Sequence, residues 1–152
     1  MRKLVVANRG VGQIGKSASI LAVYHLLKDR GFKTILETWQ YEYENGDIKA
    51  IFDINGVKVG IESQGDPNCE MEDAMEEFVA EGCEIIVTAC RTKSATYEKV
   101  RDYLGAKNNY DILWCAHYVY HGVGADVVKD TLNEVYAEHV LKLIQDRIAG
   151  VL

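Results

Sequence analysis

The run Gly10-Val11-Gly12-Gln13-Ile14-Gly15-Lys16-Ser17 joins three glycines to a lysine and a hydroxyl in the spacing G-x-x-x-x-G-K-S/T. Each part has a mechanical use in holding phosphate. The glycines let consecutive backbone N–H groups curl around an anionic oxygen without Cβ clashes, and a helix that begins at Lys16 aims its positive end at the same oxygens. Lys16 would reach the terminal phosphates of a polyphosphate, and the Ser17 hydroxyl would take one position on Mg²⁺. In the empty loop the Lys16 ammonium is expected to face solvent. The same residues satisfy G-x-G-x-x-G through Gly10, Gly12 and Gly15, with Glu37 about 20 residues on, at the end of a second strand where a dinucleotide ribose would be held. That second reading leaves Lys16 and Ser17 without a use.

Either chemistry needs a strand before the loop and a helix after it. Leu4 to Ala7 is a short apolar run suited to a strand buried on both faces. From Lys16 the spacing turns helical, with Ile20, Leu21, Tyr24 and Leu27 on one face and Gly31 placed to end it. Phe32 to Leu36 is the next strand, completing a βαβ unit whose strands are parallel in one sheet. Thr38 to Gly46 reads as loop. Ile48 to Ile54 and Val57 to Glu62 flank Asn55-Gly56, a strong signal for an antiparallel hairpin. Gln64 to Asn68 is loop, and Glu70 to Glu81 is a helix with Met71, Ala74, Met75 and Phe78 on its inner face. Glu84 to Ala89 reads as strand, Ser94 to Leu104 as helix and Ile112 to Ala116 as strand. Ala125 to Ala149 is a long helix with Val128, Leu132, Val135 and Leu143 inward. About six strands and four helices in alternation make an α/β domain over residues 1–152, its sheet mainly parallel with one antiparallel hairpin strand.

Composition fits a single folded domain: 152 residues, 48% hydrophobic, one proline. There are 17 Lys and Arg against 23 Asp and Glu, a formal net charge of −6, so nucleic acid is not the expected partner. The four cysteines form no C-x-x-C pair, and no apolar run has the length of a signal core or a membrane span. A cytoplasmic protein with no membrane partner is the expectation.

With these elements in place, the chain resembles the P-loop nucleoside triphosphate hydrolases. Lys3-Leu4-Val5-Val6, the loop and the helix that follows look like the opening of their kinase and GTPase division. Val5-Val6-Ala7-Asn8-Arg9-Gly10 and Leu26-Leu27-Lys28-Asp29-Arg30-Gly31-Phe32-Lys33-Thr34 are similar to its partition-ATPase and dethiobiotin-synthetase branch, a likeness covering about the first 40 residues. The resemblance implies a three-layer P-loop sheet, a nucleotide bound by Gly10, Val11, Gly12, Gln13, Ile14, Gly15, Lys16 and Ser17, and Mg²⁺ beside it. It leaves room for a homodimer. The branch often carries a lysine four residues before the last glycine, where this chain has Val11, with Arg9 nearby but displaced.

Such a site also needs an acid at the carboxyl end of a neighbouring strand. Glu62 and Gly65 resemble the D-x-x-G turn of GTPases, with Glu in place of Asp and the Gly65 N–H sensing the γ phosphate. Asp66 is the fallback metal acid and Glu37 a third. Thr92-Lys93-Ser94-Ala95 is the nearest match to the guanine-reading N/T-K-x-D and lacks the aspartate, so ATP is the default. Arg91, at a strand end, could touch the γ phosphate or an acceptor. Tyr41, Tyr43, Tyr118 and Tyr120 could line a base or acceptor pocket. Cys115, His117 and His121 lie on a strand and loop where their spacing does not converge on a metal. The expectation is an ATP·Mg²⁺-binding NTPase that hydrolyses ATP as a switch, with Lys16, Glu62 and Arg91 catalytic and Ser17, Glu62 and Asp66 on the metal. The alternatives are a kinase whose small-molecule acceptor is held by Arg91 and the Thr38 to Tyr43 loop, and an NAD-type dinucleotide-binding module.

Overall fold

A computed structural model describes residues 1–10, 15–40, 47–64 and 71–152. The Leu4–Arg9 strand (β1) is apolar at every position from Leu4 to Ala7 because both its faces are covered. Leu4 and Val6 join one apolar cluster and Val5 and Ala7 another. The first cluster is closed by α1 (Lys16–Asp29) and α4 (Ala125–Ile148), the second by α2 (Met71–Ala80) and by α3 (Ala95–Glu98), which runs on as a π-helical stretch over Lys99–Lys107.

The strands β2 (Lys33–Gln40), β3 (Asp47–Ile54), β4 (Val57–Glu62), β5 (Ile85–Cys90) and β6 (Asp111–Cys115) complete one six-stranded sheet in the order β2-β3-β4-β5-β1-β6. Only β3 runs against its neighbours; β4, β5, β1 and β6 pair in parallel. The mixed α/β sheet with one reversed strand is the one expected. The hairpin turns at Asn55 and Gly56, whose φ values of 53° and 84° suit the tight turn that Asn-Gly favours.

Placement differs from expectation in three ways. First, β1 and β2 share the sheet but are separated by β3, β4 and β5. The half-exposed alternation of β2, with Ile35 45% exposed, suits an edge strand and not a central one. Second, β2 continues to Gln40, so the expected loop from Thr38 begins later; its remainder, with Tyr41 and Tyr43, lies outside the described residues. Third, α4 buries Tyr136, Ala137, Val140, Leu141 and Ile144, while Val135 is exposed. The inner face is wider than the expected stripe and turned from it, because α4 packs on α1 as well as on the sheet.

One close approach fixes the other layer. A Cβ at Gly60 would sit 2.7 Å from Cγ of Phe78, so only glycine in β4 lets the α2 ring lie on the sheet.

Candidate functional site

The Gly10 N–H donates to the Cys90 carbonyl at 3.0 Å, tying the end of β1 to the end of β5. Val11, Gly12, Gln13 and Ile14 lie outside the described residues. The chain re-enters at Gly15 with φ of 93°, a left-handed backbone that glycine adopts without strain. The Gly15 carbonyl accepts the Ser19 N–H at 3.1 Å as α1 begins.

Lys16 corrects the expectation of a solvent-facing ammonium. It is 5% exposed, and Nζ donates to the Gly10 carbonyl at 2.9 Å. The lysine bridges the two described ends of the loop, since a charge taken out of water must find an acceptor.

Ser17 Oγ donates to Asp47 Oδ1, and Ser63 Oγ donates to the same oxygen at 2.9 Å while accepting the Ile48 N–H at 2.9 Å. Asp47 is 8% exposed. It opens β3, and because β3 runs against the other strands its first residue stands where they end. A search for acids at carboxyl ends of strands passes over such a residue. The signal that could have found it is the hairpin itself, whose reversed partner must bring its own start to that edge.

Glu62 is placed differently from expectation. Its strand is not next to β1, because β5 lies between them. The side chain is fully buried, with Oε1 accepting the Gln64 N–H at 2.8 Å. Gly65 and Asp66 lie outside the described residues. Arg91 is brought beside the loop: it follows Cys90, and its N–H donates to Thr96 Oγ1 at 3.1 Å. Glu37 is not. Its carboxylate accepts the Tyr24 hydroxyl and pairs with Lys28 at 3.5 Å, three strands away from β1. Arg9 turns to the α3 side, with its guanidinium 4.6 Å from the Tyr97 ring centre and donating to the Thr92 carbonyl at 3.0 Å.

Behind the loop runs a buried polar chain that sequence reasoning did not assemble. Ser19 Oγ donates to the Lys16 carbonyl at 2.7 Å, Asn8 Nδ2 to Ser19 Oγ at 2.8 Å, and Asn8 Oδ1 stands 3.4 Å from His117 Nδ1. The Tyr136 hydroxyl bonds Asn8 and lies 3.5 Å from Cys115 Sγ. Asn8, directly after the apolar run Leu4 to Ala7, was the hint, since an amide buried in such a strand must be hydrogen-bonded. Burial pushes the Cys90 thiol up to about 11, partly offset by the Arg9 and Lys16 charges, and raises the Tyr136 hydroxyl well above its usual range.

Among the described residues, two cavities border this region. One, of about 340 Å³, opens at Gly15 and runs between the loop after β6 and the start of α4, lined by His117, Tyr118, Tyr120, His121, Asp126, Lys129 and Asn133 among others. The second, about 530 Å³, lies between α1 and α4 under Asp29, Asp130, Glu134 and Glu138, a rim that repels phosphate. Tyr118 and Tyr120, offered by the sequence for a base or an acceptor pocket, line the first of these cavities. Among the described residues, no three His, Cys, Asp or Glu side chains group to hold a metal, and no helix is long and apolar enough to cross a membrane. No family model matches the chain, and neither a curated protein nor a solved structure matches it.

Proposed function

We propose that the chain is an ATP·Mg²⁺-binding P-loop NTPase with a three-layer sheet, holding the triphosphate on residues 10–17 and hydrolysing it as a switch. The observation that carries this reading is the set made by Lys16, Ser17 and Asp47 at the start of α1, where a cation, a hydroxyl and a carboxylate stand together. Lys16 already bonds a carbonyl oxygen, and phosphate oxygens arriving in the loop would replace it with a charged partner. The Ser17 hydroxyl gives its one hydrogen to Asp47, which leaves its oxygen lone pairs for a cation. Hydroxyl and carboxylate oxygens with substrate phosphates are the donor set Mg²⁺ takes, and a cage built wholly of protein is not needed. When bound, Mg²⁺ would supply neutralisation of the charge that develops on the phosphates.

Asp47 takes the metal role that the sequence assigned first to Glu62. Glu62 keeps a catalytic part in the proposal, fixing the Gln64 backbone at the head of the 65–70 segment. The cavity opening at Gly15 lies within the range of small-ligand sites and would take the nucleoside. Asn133 there offers the paired donor and acceptor that match an adenine edge.

A second reading, transfer of the γ phosphoryl to a small acceptor, is favoured by Arg91, which follows the residue bonded to Gly10. The dinucleotide alternative needs Glu37 beside the loop, and three strands separate them. The test is thermal unfolding with ATP, GTP, ADP, NAD or NADP, each with and without Mg²⁺, since a ligand bound to the native state raises its stability. ATP with Mg²⁺ is expected to give the largest rise. Stabilisation by NAD and not by ATP would overturn the proposal.

A further inference from the structure

The two edges of the sheet are finished differently. The register of β2 against β3 shifts between Thr34 and Leu36, and β2 carries Lys33 and Glu37, devices that discourage a further strand. β6 has no proline, no lysine and no shift of register against β1. Its single charge, Asp111, is paired within the chain to Arg2 at 2.6 Å and to Arg147 at 3.1 Å. The Asp111 N–H donates to the Lys3 carbonyl at 2.9 Å. By the alternation of a strand, Leu113 and Cys115 also face β1, while Ile112 and Trp114 turn their N–H and C=O groups outward. Those four groups meet no partner among the described residues. Every position of β5 is buried, and none of β6 is. Apart from Ile35, the exposed large apolar side chains among the described residues lie on β6, in the loop after it, on α4 and at positions 1, 151 and 152.

We propose that two copies of the chain join through β6, antiparallel about a two-fold axis at Leu113, so that the two six-stranded sheets become one. In that register Ile112 stands opposite the partner's Trp114, and each such pair exchanges two N–H···O bonds between the outward groups. It also sets an aromatic ring beside a β-branched side chain. The axis brings the loop after β6 of one copy to the start of the partner's β6. Exposed Tyr118, Val119 and Tyr120 then meet a cavity of about 440 Å³ lined by Met1, Arg2, Arg147, Ile148 and Leu152 among others. The charges of the two ends are complementary. Two arginines share one carboxylate at the start of β6, and over residues 116–126 the one formal charge is Asp126. The exposed apolar surface of these side chains and of Trp114 amounts to roughly 600 Å² a copy, and the paired strands bring it towards the ~800 Å² per partner of a stable interface.

The experiment is sedimentation equilibrium over a range of concentrations, with hydrogen exchange on the same samples. The wild type is expected at twice the 17.0 kDa chain mass when concentrated and at the chain mass when diluted. The Ile112 and Trp114 amides should be protected in the first state and exchange freely in the second. Val119→Arg sets a cation against the partner's Arg2 and Arg147 and should weaken association at least about tenfold, as like charges across an interface do. Val119→Asp should not weaken it. Val119 is 55% exposed, so both variants are expected to fold, which circular dichroism checks. A wild type at the chain mass throughout overturns the proposal, and an edge kept for an extended segment of another protein gives that result. A dimer whose Ile112 and Trp114 amides exchange freely, or equal weakening by the two variants, overturns it as well.

Discussion

Replacing Asp47 by Asn separates a metal acid from a structural one. In the structure two hydroxyls, those of Ser17 and Ser63, donate to one Asp47 oxygen. An amide oxygen can accept both bonds but without charge, and a hydrogen bond to a charged group contributes about 1.5–3 kcal/mol where a neutral pair gives about 1. Two such bonds lose roughly 1–4 kcal/mol, and the lower cost of burying an amide at a site 8% exposed offsets part of this, leaving about 1–2 kcal/mol. For a chain of this length that is a fall in Tm of roughly 2–8 °C. The metal effect is read separately, by titrating ATP in Mg²⁺ and in EDTA. Loss of a carboxylate near the cation should weaken ATP binding in Mg²⁺ by at least about tenfold, equivalent to about 1.4 kcal/mol, and change it little in EDTA. A variant that loses stability as calculated yet binds ATP in Mg²⁺ like the wild type would show that Asp47 only braces Ser17, and the metal role would be refuted.

Ser17→Ala should mirror this contrast, weakening ATP in Mg²⁺ and mattering much less in EDTA; equal losses in both would reduce Ser17 to a residue that starts the helix. Glu62→Gln is expected to slow ATP turnover far more than it weakens affinity, measured as kcat against Kd; the opposite pattern would place it in ground-state binding. Gly60→Ala should cost several kcal/mol in urea unfolding, because its Cβ would meet the Phe78 ring at 2.7 Å, and Phe78→Ala in the same chain should recover part of the loss of fit. Burial pushes the Cys83 thiol up to about 12 and Cys90 up to about 11, both from 9.0. For thiols raised in the folded state the stabilisation is complete below about pH 9 and is lost as pH rises towards the folded values, so unfolding free energy should decline above pH 9. Labelling of Cys83 and Cys90 by a thiol reagent at pH 8 should await unfolding.

How far the sequence carries can be seen residue by residue. The glycine pattern marked the break between the end of β1 and the start of α1, the apolar run Leu4 to Ala7 located the doubly covered strand, and Asn55-Gly56 located the hairpin, because each depends on local backbone or periodicity alone. Strand order does not. Nothing local in Phe32 to Leu36 says that β2 will lie across three strands from β1, and the placements of Glu37 and Glu62 depended on that order. Asp47 was missed for the same reason, since only the sheet brings the start of a reversed strand to Ser17. The ammonium of Lys16 was expected in water because a sequence cannot show that the Gly10 carbonyl would be 2.9 Å away. The pairing of Asn8, Ser19 and His117 spans 109 positions of chain and has no spacing rule behind it.

The central claim is that Lys16 holds the phosphates of ATP with Mg²⁺. Titrating ATP·Mg²⁺ calorimetrically into the wild type and into Lys16→Ala, with circular dichroism to verify that both are folded, tests it most directly. Binding by the wild type that disappears in the folded variant is the predicted result, and ATP affinity unchanged by Lys16→Ala would contradict it.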